Sequence, residues 1–343
     1  MTKKTRYFVM ASAAILTIGL AGGVVAYYGF SQRALFRPSA PAELRYVPSD
    51  VAVLAYANVR EVMDSSLRRE LQKLQGNDAQ RGQREFRDQT GIDIEKDVDR
   101  VVAFLTPELN QREGSPRGLV LARGRFEQTR IEALLREHGG TAEQYQGKRI
   151  LTVRPGAAQR DKEEKPPARA TEAAREMALA FIQPGLVGVG SGPLVRRAID
   201  LEQGGANVTR NDEFMKMVGE VQQGNAWAVG RFDALAKRMV PPSLSGQMPP
   251  LRVFSATGTV DGGVSGTLRA EAADDASAEQ LRDVVRGFLA LARLQAGSKM
   301  EAQAALKSLE LGGTGKTVSL SFSFTPASLE SLTPAAPRPG GPR

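Results

Sequence analysis

The chain has 343 residues, with 46 Lys and Arg against 38 Asp and Glu, one histidine and no cysteine. Without a thiol there is no lipobox, disulfide framework, cysteine–zinc site or cysteine nucleophile, and a single histidine leaves too few ligands for a transition-metal centre. The net charge of +8 includes Lys3, Lys4 and Arg6; the remainder, 43 basic residues against 38 acidic, is interspersed rather than gathered into the stripe of a nucleic-acid surface.

The three basic residues precede an uncharged run, Tyr7 to Phe30, long enough to cross a hydrocarbon core of roughly 30 Å. Tyr7 and Phe8 stand at one end of it and Tyr27, Tyr28 and Phe30 at the other, where interfacial aromatics are favoured. The sequence therefore predicts one N-terminal transmembrane signal-anchor over 7–30, with a basic start (1–6) in the cytoplasm and the bulk of the chain in the periplasm, anchored in the inner membrane. Gly19 and Gly23 form G-x-x-x-G, a spacing that supports packing of two spans. The rival reading is a signal peptide, cleaved near the small residues that follow Gly22-Gly23, leaving a secreted protein.

Residues 31–49 read as a Pro/Ala linker. Strand patterns follow at "DVAVLAYANV", "VVAFL" and "RGLVLARGR", separated by one helix over "REVMDSSLRRELQKLQ" and a polar stretch at 76–90. The helix "FEQTRIEALLREHGG" ends on glycine, and "AEQYQGKRILTV" is a hairpin turning at Gln146-Gly147. Residues 155–175 are charged and rich in Pro and Ala, which predicts a disordered insertion. A hairpin at Pro184-Gly185, a helix from Pro193 with Ser191 as its cap, and a helix capped by Asn211 lead to the strand "AWAVGRF". "ARGRFE", "AVGRFD" and "AYANVRE" form a faint repeat at strand-to-helix exits, consistent with duplicated units or with a common idiom.

"PPSLSGQMPP" marks a boundary between a domain at 50–240 and a hairpin–helix–hairpin module at 251–326, before a disordered tail at 327–343. The module's first hairpin turns at Asp261-Gly262. Its helix begins at Ser277 with Gln280 in a capping box and carries Leu281, Val284, Val285, Phe288, Leu291 and Ala292 on one side. Leu289 and Leu294 fall outside that stripe.

Two glycine-rich stretches invite a nucleotide and fail the test. In "GGTGKT" the first P-loop glycine would be residue 310, which is Glu310, and alternation from Val318 to Phe324 demands a strand where a helix is required. In "GVGSGP" the last fingerprint glycine is replaced by Pro193. "GIDIEKDVD" lacks the ligand pattern of a calcium loop and reads as a helix start. His138 ends a helix, where a positive charge suits the dipole. No catalytic, cofactor or metal residue emerges, and neither a nucleotide nor nucleic acid is an expected partner.

"YVPSDVAVLAYANV", "TGIDIEKDVDRVVAF" and "FIQPGLVGVGSGPLVRRAID" resemble an uncharacterised family of bacterial single-span exported proteins, a domain of unknown function, over residues 46–235. The resemblance implies a bacterial envelope location and brings no functional residues. The expected fold is α+β, antiparallel sheets with helices on one face, as ferredoxin-like duplicated units. The expected function is non-enzymatic binding of another envelope protein; a carrier for a lipid or other apolar ligand, held against helix 277–296, is the alternative, and an unrecognised hydrolase comes third.

Overall fold

A computed structural model describes residues 40–74, 83–85, 87–88, 90–107, 117–153, 177–232, 249–297 and 300–332. The span read at 7–30, with Tyr7, Phe8, Gly19, Gly23, Tyr27, Tyr28 and Phe30, and the insertion at 155–175 lie outside them. Among the described residues no helix is long and apolar enough to cross a membrane.

The strands are β1 (Val53–Ala57), β2 (Val98–Thr106), β3 (Arg117–Gly124), β4 (Thr141–Tyr145), β5 (Lys148–Val153), β6 (Met177–Gln183), β7 (Leu186–Gly190), β8 (Ala226–Arg231), β9 (Leu251–Val260), β10 (Val264–Ala272), β11 (Glu310–Gly312) and β12 (Thr317–Phe324). They form one 12-stranded sheet in the order β11-β12-β10-β9-β8-β1-β2-β3-β7-β6-β5-β4. Each neighbouring pair is antiparallel. The helices are α1 (Val59–Asp64), α2 (Ser66–Leu74), α3 (Ile94–Asp97), α4 (Gln128–Glu137), α5 (Gly192–Gln203), α6 (Asp212–Val221), α7 (Asp275–Ala296), α8 (Met300–Lys307) and α9 (Pro326–Leu332).

The α+β class with a large antiparallel sheet is as the sequence predicts, and two finer expectations are corrected. Helices cover both faces, because the central strands are apolar on both. Leu54, Val102, Phe104, Leu119 and Leu121 share the face on which α5 and α6 lay Val195, Ala198, Ile199, Phe214 and Val218. On the other face Leu151 is buried near α4, and α1 reaches β2 through the Arg60–Asp99 ion pair. The ferredoxin-like unit is not the one formed. Such a unit places a third strand between the two that a helix joins, whereas β1 and β2, joined by α1 to α3, are direct neighbours. The wide crossovers lie elsewhere: β3 to β4 passes β7, β6 and β5, and β7 to β8 passes β3, β2 and β1.

Side chains that compete for backbone hydrogen bonds set several element ends. The helix expected from Arg60 to Gln75 breaks at Ser65, whose hydroxyl donates to the Val62 carbonyl at 2.7 Å and accepts from the Arg68 amide at 3.1 Å. The Gln146-Gly147 hairpin forms as read, both residues at positive φ (50° and 75°). The repeated Gly-Arg-Phe serves one purpose at both its strand ends. A Cβ on Gly124 would lie 1.9 Å from the Asp97 carbonyl oxygen and one on Gly230 2.9 Å from that of Ala52. The next amide, of Arg125 or Arg231, donates to that same carbonyl at 2.7 and 2.8 Å respectively.

The stretch from Leu251 onward joins the sheet through the β8–β9 ladder. Buried Asn225 grips β9, its amide donating to the Val260 carbonyl at 2.9 Å and its oxygen accepting from the Val260 amide at 3.0 Å. Beyond the expected hairpins and helix the chain forms α8, and α9 stands where the sequence reading begins its tail. Leu329 of α9 explains the latter, packing toward Val260 and Val264 on one side and Phe322 and Phe324 on the other.

Candidate functional site

Helix α7 is 22 residues long, on the order of 33 Å at 1.5 Å per residue. It starts two residues earlier than the sequence suggests. Asp274, not Ser277, is the N-cap, its carboxylate accepting from the Ser277 amide at 2.7 Å. That hydrogen bond holds the Asp274 carboxyl below the usual carboxylate range. Ala278, Leu281 and Val285 then face the sheet, packing with Leu251, Ala272 and Val318.

The helix outruns what lies beneath it. It crosses β10, β12 and the three-residue β11 at the end of the sheet. Its buried apolar positions, Ala278 and Leu281, lie in its first half, and it also meets α8. Phe288 and Leu291, expected in the core stripe, are 57% and 51% exposed, and Leu294 is 79% exposed. With half-buried Val284 and with Gly287, they form one flank of the helix. Met300, at the start of α8 past the Gly297 cap, is 77% exposed.

The opposite flank is charged. Arg282, Arg286, Arg293 and Glu279, with Leu289, form one wall of an open cleft of about 550 Å³ whose other wall holds Leu309 and Leu311. Arg282 donates to Glu279 at 2.8 Å and to the carbonyls of Gly315 and Thr317 at 2.7 and 3.0 Å. Arg286 donates to Glu279 at 3.1 Å and Asp283 at 2.7 Å. The hydrogen bonds from Arg282 and Arg286 hold the Glu279 carboxyl below its ordinary value. Arg293 lines the same cleft without a carboxylate partner among the described residues. Leu289 and Leu294, singled out as possible ligand contacts, are thus on different surfaces: Leu289 in the arginine-walled cleft and Leu294 on the open flank. A second open cleft, of about 520 Å³, lies at the other end of the sheet between Lys148, Arg149, Gln128 and Phe181.

The decoy motifs take structural places. "GGTGKT" is the β11–β12 turn, with Gly313 and Gly315 at positive φ and its carbonyls turned toward Arg282, the reverse of a loop that presents amides to phosphate. Ser191 precedes α5 without a side-chain cap bond. His138 follows α4, a ring nitrogen 2.8 Å from the Leu134 carbonyl. The "GIDIEKDVD" carboxylates cap α3 or pair with arginine: Asp93 accepts from the Glu95 amide at 3.2 Å, Glu95 pairs with Arg68 and Asp99 with Arg60. Among the described residues no group of three or more metal-ligating side chains converges.

No family model matches the chain, and no curated protein matches its sequence. Among solved structures, crystal form I of TP0453 is similar over 85% of this chain and 96% of that one, with a TM-score of 0.43 and 10% identity. A likeness at that level bears on neither function nor details of the fold.

Proposed function

We propose that this is a non-enzymatic bacterial envelope protein, held at the inner membrane by its N-terminal segment, that works by binding another protein against the exposed flank of α7. The observation that carries the reading is the contrast within one helix: Ala278 and Leu281 are buried while Phe288, Leu291 and Leu294 stand in solvent. Large apolar side chains grouped on a rigid helix are what a protein partner covers. The resemblance to single-span exported proteins supports the same location. A carrier of apolar ligands calls instead for an enclosed apolar cavity. The cleft beside α7 is open, and three arginines and a glutamate stand in it beside Leu289, Leu309 and Leu311.

The test is a photo-reactive residue placed at Leu291 or, as a control, at Arg286, in cells producing the full chain. A discrete protein adduct from position 291, absent from 286 and lost when Phe288→Glu is added, is the expected result. Adducts of equal strength at both positions would overturn the assignment to this flank, and none at 291 together with a small-molecule mass that survives native but not denaturing spectrometry would replace this reading with the carrier.

A further inference from the structure

The exposed flank of α7 carries a hollow beside its projections. Gly287 lies between Val284 and Leu291 at helical spacing, and a Cβ there would meet no atom within 4 Å. Glycine is costly inside a helix, and neither a turn nor a positive φ calls for it at this position. Val284, Gly287, Leu291 and Leu294 recur at steps of three and four residues, the spacing with which one helix packs on another. Of the neighbouring charges, Arg282 is paired with Glu279 and Arg286 with Glu279 and Asp283, while Arg293 lines the cleft on the opposite flank. The side chains of the flank itself, Val284, Gly287, Phe288, Leu291 and Leu294, offer no charge to complement an anionic lipid surface or a charged partner.

We infer that the occupant is a second copy of this chain, with two α7 helices packed antiparallel about a two-fold axis so that Leu291 and Phe288 of each lie over Gly287 of the other. The inference rests on the interaction reading of the flank and names its partner. A two-fold interface must present the same patch on both sides, so the patch has to carry both knob and hole. Phe288 and Leu291 supply the one and Gly287 the other. At the exposures of Phe288, Leu291 and Leu294, these three present on the order of 350 Å² of surface, within the range of the largest patch of a typical monomer. Two copies together cover on the order of 700 Å² from these side chains, and Val284, Gly287 and the residues beside them supply the rest of the roughly 1,000 Å² at which a specific interface becomes tenable.

Because the chain has no cysteine, single cysteines report the geometry without background. Full chains carrying Val284→Cys, Gly287→Cys, Leu291→Cys or Leu294→Cys, with Arg286→Cys and Arg293→Cys as controls, are oxidised under mild conditions. Sedimentation of the unsubstituted chain and of Leu291→Glu is measured alongside. The expected result is a disulfide-linked dimer at one or more flank positions and at neither control, with the dimer dissociation constant raised at least tenfold by Leu291→Glu. A dimer that forms equally with Leu291→Glu, or disulfides at the controls, would place the contact elsewhere and overturn the inference. A monomer without flank disulfides overturns it too. In that case the fate of the cellular adduct at 291 separates the two readings: a different protein crosslinked there leaves the interaction reading standing, and its absence removes both.

Discussion

At the scale of single residues, buried charges show where the fold is held by electrostatics as well as by packing. Glu43 is almost fully buried and meets Arg123 at 3.0 Å, tying the one-turn helix Ala42–Tyr46 to β3. Glu132 of α4 is buried as well and gathers Gln128 at 2.8 Å, Arg136 at 3.1 Å and Arg149 of β5. Burial alone would raise its carboxyl pKa, yet the hydrogen bonds from Gln128 and Arg149 and the two arginine charges hold it below the ordinary value. A carboxyl whose pKa is lower in the folded chain stabilises fully above its unfolded value, near 4.3, and loses that contribution as pH falls through the folded value. Glu132→Gln is expected to cost on the order of 1–3 kcal/mol at neutral pH, since it removes the charged acceptor and leaves two arginines without it. It should also flatten the acid limb of the stability profile below about pH 4. Urea titrations of both proteins from pH 7 to pH 3 check this; parallel acid limbs would mean that Glu132 contributes nothing to them.

At the scale of elements, helix ends decide register. Asn211 caps α6 by accepting from the Phe214 amide at 3.2 Å, and its own amide donates to the Ser49 carbonyl at 2.8 Å. Asparagine is therefore doubly used here. Asn211→Ala should cost about 0.5–2 kcal/mol, the range for losing a cap. Asn211→Asp should also destabilise, although aspartate caps as well in isolation, because a carboxylate faces the Ser49 carbonyl where a donor is needed. An aspartate variant as stable as the parent in thermal melts would mean that the Ser49 contact is idle. The Asn211 cap, the Gln146-Gly147 turn and the strand that follows "GGTGKT" were all legible in the sequence, because each depends on a few neighbouring residues. The break at Ser65, the Asp274 cap and the exposure of Phe288 were not. Each depends on what stands opposite: the spacing that marks an apolar stripe on α7 is the same whether strands lie beneath all of it or only half. The width of that stripe, from Leu291 round to Val285, was the available sign that one sheet face could not cover it.

At the scale of the whole molecule, the sheet is one object although its sequence has two grammars. Loop composition at 241–250 suggests a boundary, yet strand pairing runs across it from Ala226↔Gly258 to Arg231↔Val253. Further ties cross with it: the Asn225 clamp on Val260, the Thr257 hydroxyl donating to the Val221 carbonyl at 2.8 Å, and the Leu67 amide of α2 donating to the Asp261 carbonyl at 2.7 Å. Trp227, the chain's one tryptophan, is buried at this junction and stacks on Tyr56 with ring centroids 5.4 Å apart. Burial likewise pushes the Tyr56 phenol up to about 12, so that ring stays neutral across the working range of a denaturation experiment. Tryptophan fluorescence therefore reports the seam between the two halves, while far-ultraviolet circular dichroism reports all strands and helices together. If the ladder and its ties couple the halves, the two signals should follow one transition with the same midpoint. Separation of the seam before loss of secondary structure would give a fluorescence midpoint well below the dichroism midpoint, and the stretch after Leu251 would then be a domain that merely abuts its neighbour. Replacing Asn225 with Ala should open that gap if any single residue can, because it leaves both the amide and the carbonyl of Val260 without the side chain that grips them.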